Sequence, residues 1–147
     1  QGKLPAVVTQ NIDGLHQLAG SKNVYELHGS IHRNHCMRCN RFFDAEYVKN
    51  HSGIPYCPCG GIIKPDVVLY EESLDLDVLA GAVAHISRAD MLIVGGTSLQ
   101  VYPAAGLINY YSGNKLVLIN KTITPYDNYA NLVINDSIGK VLSAAVE

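Results

Sequence analysis

Residues 91–98 read Met-Leu-Ile-Val-Gly-Gly-Thr-Ser, an unbroken apolar run that stops at two glycines and two hydroxyl residues. A short apolar run without alternation suits a strand buried on both faces, as in a parallel sheet covered by helices. Helices are expected on either side of it. From Leu74 to Arg88, the residues Leu74, Val78, Leu79, Val83 and Ile86 share one helical face. Pro103 starts another helix, to about Tyr111, because proline suits a first helical turn. Leu116 to Ile119 is the next apolar strand and ends at Asn120. Leu132 to Ile134 follows, then a final helix capped by Asp136 or Ser137. Toward the amino terminus, Ala6 to Thr9 and Asn23 to Leu27 read as strands, and Val67 to Tyr70 is a strand-like run. Strands alternating with amphipathic helices imply an α/β fold, a parallel sheet with helices on both faces.

The composition fits a globular domain, since 48% of the 147 residues are hydrophobic. A net charge of −2, with no basic run longer than two residues, argues against nucleic acid as a partner. No apolar run approaches the ~18 residues of a membrane helix, so no membrane partner is expected. The chain begins Gln1-Gly2-Lys3, and a longer parent protein is expected.

All four cysteines fall between Cys36 and Cys59. Such clustering is the pattern of a cytosolic metal site rather than a secreted disulfide scaffold, so a cytoplasmic location is expected. Cys36 and Cys39 are spaced for a turn that aims both thiolates at one ion. Cys57 and Cys59 are closer, and Gly60 and Gly61 can take the positive φ that wraps backbone around a metal. Four sulfurs suit tetrahedral Zn2+ in a closed, structural shell. Ordinary or redox cysteines are the alternative, and His35 could replace one sulfur. His32 and His51 read as solvated loop residues. A short helix is expected near Asp44 to Lys49.

Polar clusters stand at the strand ends: Gln10-Asn11-Asp13, His28, Gly96-Thr97-Ser98 and Asn120-Lys121-Thr122. Parallel sheets bind ligands at the carboxyl ends of their strands, so these clusters together favour a nucleotide site.

Several motifs then occur in order: Thr9-Gln10-Asn11-Ile12-Asp13-Gly14-Leu15-His16, Glu26-Leu27-His28-Gly29, the four cysteines, Gly96-Thr97-Ser98-Leu99 and Ile119-Asn120. In order and spacing the chain resembles the sirtuins, NAD-dependent protein deacylases, over essentially its whole length. The resemblance implies a Rossmann-like domain, residues 1–32 and 62–147, with a zinc-binding lobe at 33–61. It also separates His28 from the zinc site. His28 would be the general base acting through the nicotinamide ribose hydroxyls, helped by Asn11 and Asp13. Gln10 and Ile12 would join Asn11 and Asp13 in binding NAD. Gly96, Thr97 and Ser98 would meet the adenosine side, Asn120, Lys121 and Thr122 the adenine ribose, and Ile138 would contact adenine or be plain core. Cys36, Cys39, Cys57 and Cys59 would hold the zinc.

In the same resemblance, Val68, Leu69, Tyr70 and Glu71 would pair with an acyl-lysine peptide as an added strand. Many members carry Phe-Gly-Glu where this chain has Tyr70-Glu71-Glu72, which places an extra charge beside the peptide. The family's Gly-Ala-Gly phosphate loop is absent, for no Gly-x-Gly occurs in the sequence. A missing amino-terminal segment or self-association is therefore expected, with weak activity for the isolated piece. The competing reading is a non-catalytic, zinc-bearing interaction module of the same ancestry.

Overall fold

Two short triplets, Val7–Thr9 (β1) and Val24–Glu26 (β2), pair in parallel, with Val7 opposite Val24 and Thr9 opposite Glu26. They belong to the first of two units in the computed structural model, which describes residues 2–146. The first unit runs to Ala82 and the second starts at Val83. Between β1 and β2 lie a polar turn and the single-turn helix α1, Leu15–Leu18.

The rest of the first unit is a three-stranded antiparallel sheet. Its strands are β3 (Gly29–Cys36), β4 (Phe42–Phe43) and β5 (Ile63–Val67), in the order β4-β3-β5. The expected short helix is α2, Ala45–Lys49, and Asp44 caps it by accepting the Tyr47 amide at 2.8 Å. Cys36, Phe43, Cys57 and Ile63 form a small core here, with Tyr47 and Val48 packed against it.

Two expectations need correction in this unit. The strand lies at Ile63–Val67, not at Val67–Tyr70. Pro65 is tolerated because β5 is an edge strand among the described residues, where a missing N–H costs no ladder bond. His32 lies on β3 and not in a loop, although it is exposed.

Helix α3, Leu76–Ser87, is the helix expected from the spacing of its apolar residues. In the second unit, β6 (Leu92–Gly95), β7 (Leu116–Ile119) and β8 (Leu132–Ile134) form a parallel sheet in that order. Leu99, Ile108, Leu116 and Leu118 make its buried core. The segment after Pro103 is a 3₁₀ helix, Ala104–Tyr110, rather than an α-helix. Its buried residues Ala104, Ala105, Leu107 and Ile108 hold it in place, so packing decides its form more than propensity does. The closing helix α4 spans Ile138–Ala145, with Ser137 at its N-cap position. Asp136 accepts the Ser137 amide at 2.7 Å.

Candidate functional site

The polar turn after β1 is held by its own backbone. Thr9 O accepts the Leu27 amide at 2.9 Å, and Ile12 O accepts the Ile31 amide at 3.1 Å. His28 Nδ1 lies 3.1 Å from Gln10 O, and His32 Nε2 lies 2.9 Å from Asp13 O. Four carbonyls of one turn are thus taken by residues 27 to 32. The side chains of the turn are anchored as well. Thr9 Oγ1 accepts the Asn11 amide at 3.0 Å, and Asp13 Oδ1 accepts the Leu15 amide at 3.0 Å. Asp13 therefore helps to start α1 while standing one residue before the N-cap position, which Gly14 occupies.

The bond at His28 has a chemical consequence. A carbonyl oxygen can only accept, so the Nδ1 that meets Gln10 O carries the proton. The neutral ring then keeps its lone pair on Nε2. Half-buried His28 is thereby oriented and set in the tautomer of a base acting through Nε2.

The four cysteine sulfurs lie within 4.8 Å of one another. Cys36 and Cys59 are 3.4 Å apart, and Cys39 and Cys57 are 3.6 Å apart. A tetrahedral zinc–thiolate shell needs sulfurs about 3.8 Å apart, so the cluster fits that ion. The Arg38 and Cys39 amides point at Cys36 Sγ from 3.4 and 3.5 Å. Burial opposes ionisation of Cys36, but these amides and the neighbouring thiols bring it down to about 6. At Cys57 the Cys59 amide favours the thiolate, yet burial and the surrounding thiols push the group up to about 12. Both shifts express one crowding of four thiols that a dication would relieve. Gly60 has the expected positive φ of 82°. Gly61 does not, and it is needed for space instead: a Cβ there would stand 2.6 Å from Cys36 Sγ. His35 is outside the cluster and packs edge-on against Phe42.

Beyond β5 the chain leaves the ladder with one bond, from the Val68 amide to His28 O at 3.0 Å. Leu69 is half-exposed and Tyr70 fully exposed. Glu72 closes this loop. Its carboxylate accepts the Leu69 amide at 2.9 Å and pairs with Lys64 at 3.3 Å. The Leu69 amide, then Lys64, hold the Glu72 carboxyl below the usual range. That contribution is present at neutral pH and is lost as pH falls through the lowered value.

In the second unit, the polar residues sit where the parallel strands end. Gly96 donates to Ile119 O, and Asn120 to Ile134 O, each at 3.1 Å. These bonds bring the ends of β6, β7 and β8 into line. Thr97 Oγ1 accepts the Leu99 amide at 3.2 Å, and the Asn120 carboxamide reaches Thr122 O at 3.0 Å. Ser98 and Lys121 are exposed. Lys140, the Ser137 amide and Lys121 together hold the Asp136 carboxyl low. Ile138 packs onto Gly95, where any Cβ would collide with it, so a small residue at the end of β6 makes room for the start of α4. A separate cavity of about 820 Å³, lined by Tyr102, Tyr111, Tyr126 and Tyr129 among others, also touches Leu116 and Asn131. Those two residues stand at the opposite, amino-terminal ends of β7 and β8, away from where a parallel sheet receives a nucleotide.

Some contributing residues carry no motif in the sequence. Arg33 pairs with Glu26 at 2.6 Å and with Asp66 at 2.9 Å. Burial works against the Arg33 charge, but the two carboxylates outweigh it and raise its pKa. Lys64 and Glu72 meet across a loop, and His32 reaches back 19 residues to Asp13. Each of these pairs joins polar groups of different segments, so only the folded chain reveals them.

Residues 1–103 match the model of the Sir2 family. An NAD-dependent protein deacetylase from Clostridium acetobutylicum is 70% identical over 99% of this chain and 60% of its own length. A solved structure described as Sir2 with p53 peptide and NAD+ is similar with a TM-score of 0.88 and 43% identity, over 95% of this chain and 61% of the other. A second, Sir2 with the inhibitor EX-527, 2′-O-acetyl-ADP-ribose and deacetylated p53 peptide, also has a TM-score of 0.88 and 43% identity, over 95% and 62%. The chain thus spans about 60% of the length of these relatives. At this similarity the fold is the Rossmann-like fold of those structures, with parallel strands and helices and a cysteine cluster compatible with zinc.

Proposed function

The chain belongs to the Sir2 family, and on that premise we propose that it is the larger part of an NAD-dependent protein-lysine deacylase. The acyl group passes from lysine to ADP-ribose as nicotinamide is released. The observation that carries this reading is the bond from His28 Nδ1 to Gln10 O at 3.1 Å, which leaves Nε2 as the free base. Bound NAD supplies an activated ribose carbon with a good leaving group. His28 takes the proton from a ribose hydroxyl at Nε2. Asn11 and Asp13, in a turn with its carbonyls already satisfied, orient that ribose together with Gln10 and Ile12. Gly96, Thr97 and Ser98 give the adenosine side close backbone approach and hydroxyl donors. Asn120, Lys121 and Thr122 hold the adenine ribose, and Ile138 contacts adenine.

An acyl-lysine protein is the partner, lying as an extended peptide along Val68, Leu69, Tyr70 and Glu71. Glu71 is exposed and puts a carboxylate beside that peptide, which favours basic flanking residues. Cys36, Cys39, Cys57 and Cys59 would hold a structural Zn2+ in a lobe formed by residues 33–61, between the two NAD-binding stretches 1–32 and 62–147. Thiolate ligation suits the reducing cytoplasm. Among the described residues, no helix is long and apolar enough to cross a membrane.

Nicotinamide release, measured with an acetyl-lysine peptide and a chain built to the full length of the relatives, is the test. Substituting His28→Ala should slow turnover by roughly 10²-fold or more, the scale of a lost general base, with little change in NAD affinity. A folded, zinc-loaded protein that releases no nicotinamide would instead be a non-catalytic zinc-bearing interaction module.

A further inference from the structure

The pairing of β3 with β5 slips between Ser30 and Asn34: Ser30 faces Asp66, while Asn34 faces the neighbouring Pro65. Ile31, His32 and Arg33 are therefore extra residues in β3, with no ladder partner on β5. Such bulges re-aim side chains and backbone groups away from the sheet. Each of these residues holds another segment. The Ile31 amide donates to Ile12 O, and His32 Nε2 meets Asp13 O. Arg33 reaches two more segments. Its Nη1 meets Glu26 on the last position of β2, and its Nε meets Asp66 on β5.

Glu26 is 8% exposed, so its carboxylate needs a cation in place. His28 follows Glu26 by two residues, and Val68 follows Asp66 by two. Between them runs the bond from the Val68 amide to His28 O at 3.0 Å. Gly29 belongs to the same contact: its φ is +75°, and a Cβ there would collide with Asp66 O. A guanidinium can hold two carboxylates from two fixed edges, which the single ammonium of lysine cannot do with the same geometry.

We propose that the β3 bulge is the positioning element of the site, with Arg33 as the positioning residue that fixes the His28 turn and the Val68–Glu71 loop to each other. The base and the edge that receives the peptide are then set by one ion triad. The assignment rests on the deacylase reading for its consequences in catalysis, but not for the geometry.

Amide hydrogen exchange at Val68, together with steady-state kinetics on an acetyl-lysine peptide, tests this in the full-length protein. Arg33→Gln should speed exchange at Val68 by about tenfold or more, the scale of losing one charge-assisted hydrogen bond. It should also lower kcat and raise the peptide KM. Arg33→Lys, which keeps the charge and loses the fork, should recover only part of each change. Asp66→Asn should raise the peptide KM with kcat nearly held, and Glu26→Gln should do the reverse. A general loss of stability would produce no such split. Parental Val68 exchange and parental kinetics in Arg33→Gln would overturn the proposal. Should Arg33→Gln fail to fold, half-exposed Asp66→Asn decides the matter, and unchanged Val68 exchange in it overturns the proposal equally. A parent protein that releases no nicotinamide would refute the deacylase reading, while the exchange comparison would still decide whether Arg33 positions the loop.

Discussion

Glu71 has φ +70°, a left-handed conformation that glycine adopts freely and that costs other residues about 1–2 kcal/mol. The resemblance places glycine here in many relatives, and the geometry explains why. Replacing Glu71 by glycine relieves the strain but adds roughly 0.5–1 kcal/mol of unfolded-chain entropy. The balance favours the variant by about 0.5–1 kcal/mol, so Glu71→Gly should raise the urea midpoint of the full-length protein slightly. Glu71→Ala, which keeps the Cβ, should not. A lower midpoint for the glycine variant would show that the Glu71 side chain stabilises the loop. Neighbouring Glu72 is different, because its carboxylate is tied inward to Leu69 and Lys64. Two adjacent glutamates thus serve the loop in opposite ways: one closes it and the other faces the solvent.

At the scale of elements, the cysteine-bearing region has few apolar residues to hold it. Its core is Cys36, Phe43, Cys57 and Ile63, and half of that set would be zinc ligands. Ligation in small zinc sites is worth on the order of 10 kcal/mol, well above what Phe43 and Ile63 can contribute by burial at about 1.5–3 kcal/mol each. Metal analysis should therefore find one zinc per cysteine cluster. Chelation should release α2 and the residues around it before either parallel sheet, read as early exchange of the Tyr47 and Cys57 amides. Metal-free protein with an unchanged unfolding curve would argue for ordinary thiols instead. The antiparallel strands also show how an element can escape notice. β3 carries Ser30, His32, Arg33, Asn34 and His35, so no apolar alternation marks it, and its inward positions are Ser30, Asn34 and Cys36. Asn34 can be buried because its carboxamide is bonded to Ile31 O at 3.1 Å.

Over the whole molecule, the donors expected for adenosine are present, while no Gly-x-Gly supplies backbone amides for the phosphates. Charge-assisted bonds of that kind are worth about 1.5–3 kcal/mol each. Calorimetry should thus find the 147-residue chain binding NAD at least ~10²-fold more weakly than the full-length protein, the equivalent of two such bonds. Low-micromolar binding by the monomeric chain would contradict this. The sequence by itself determined β1, β2, β6, β7, β8, α3 and α4, because an apolar run or an amphipathic period records local burial, and it placed the short α2 as well. It also marked the cysteine cluster, since close spacing along the chain already confines four ligands to one neighbourhood. Only the tertiary structure decided the true place of β5, the β3 bulge, the tautomer of His28 and the grip of Arg33 on Glu26 and Asp66. Each of these is a pairing between separate segments of the chain, made by polar side chains or backbone groups, and no run or face of apolar residues records it.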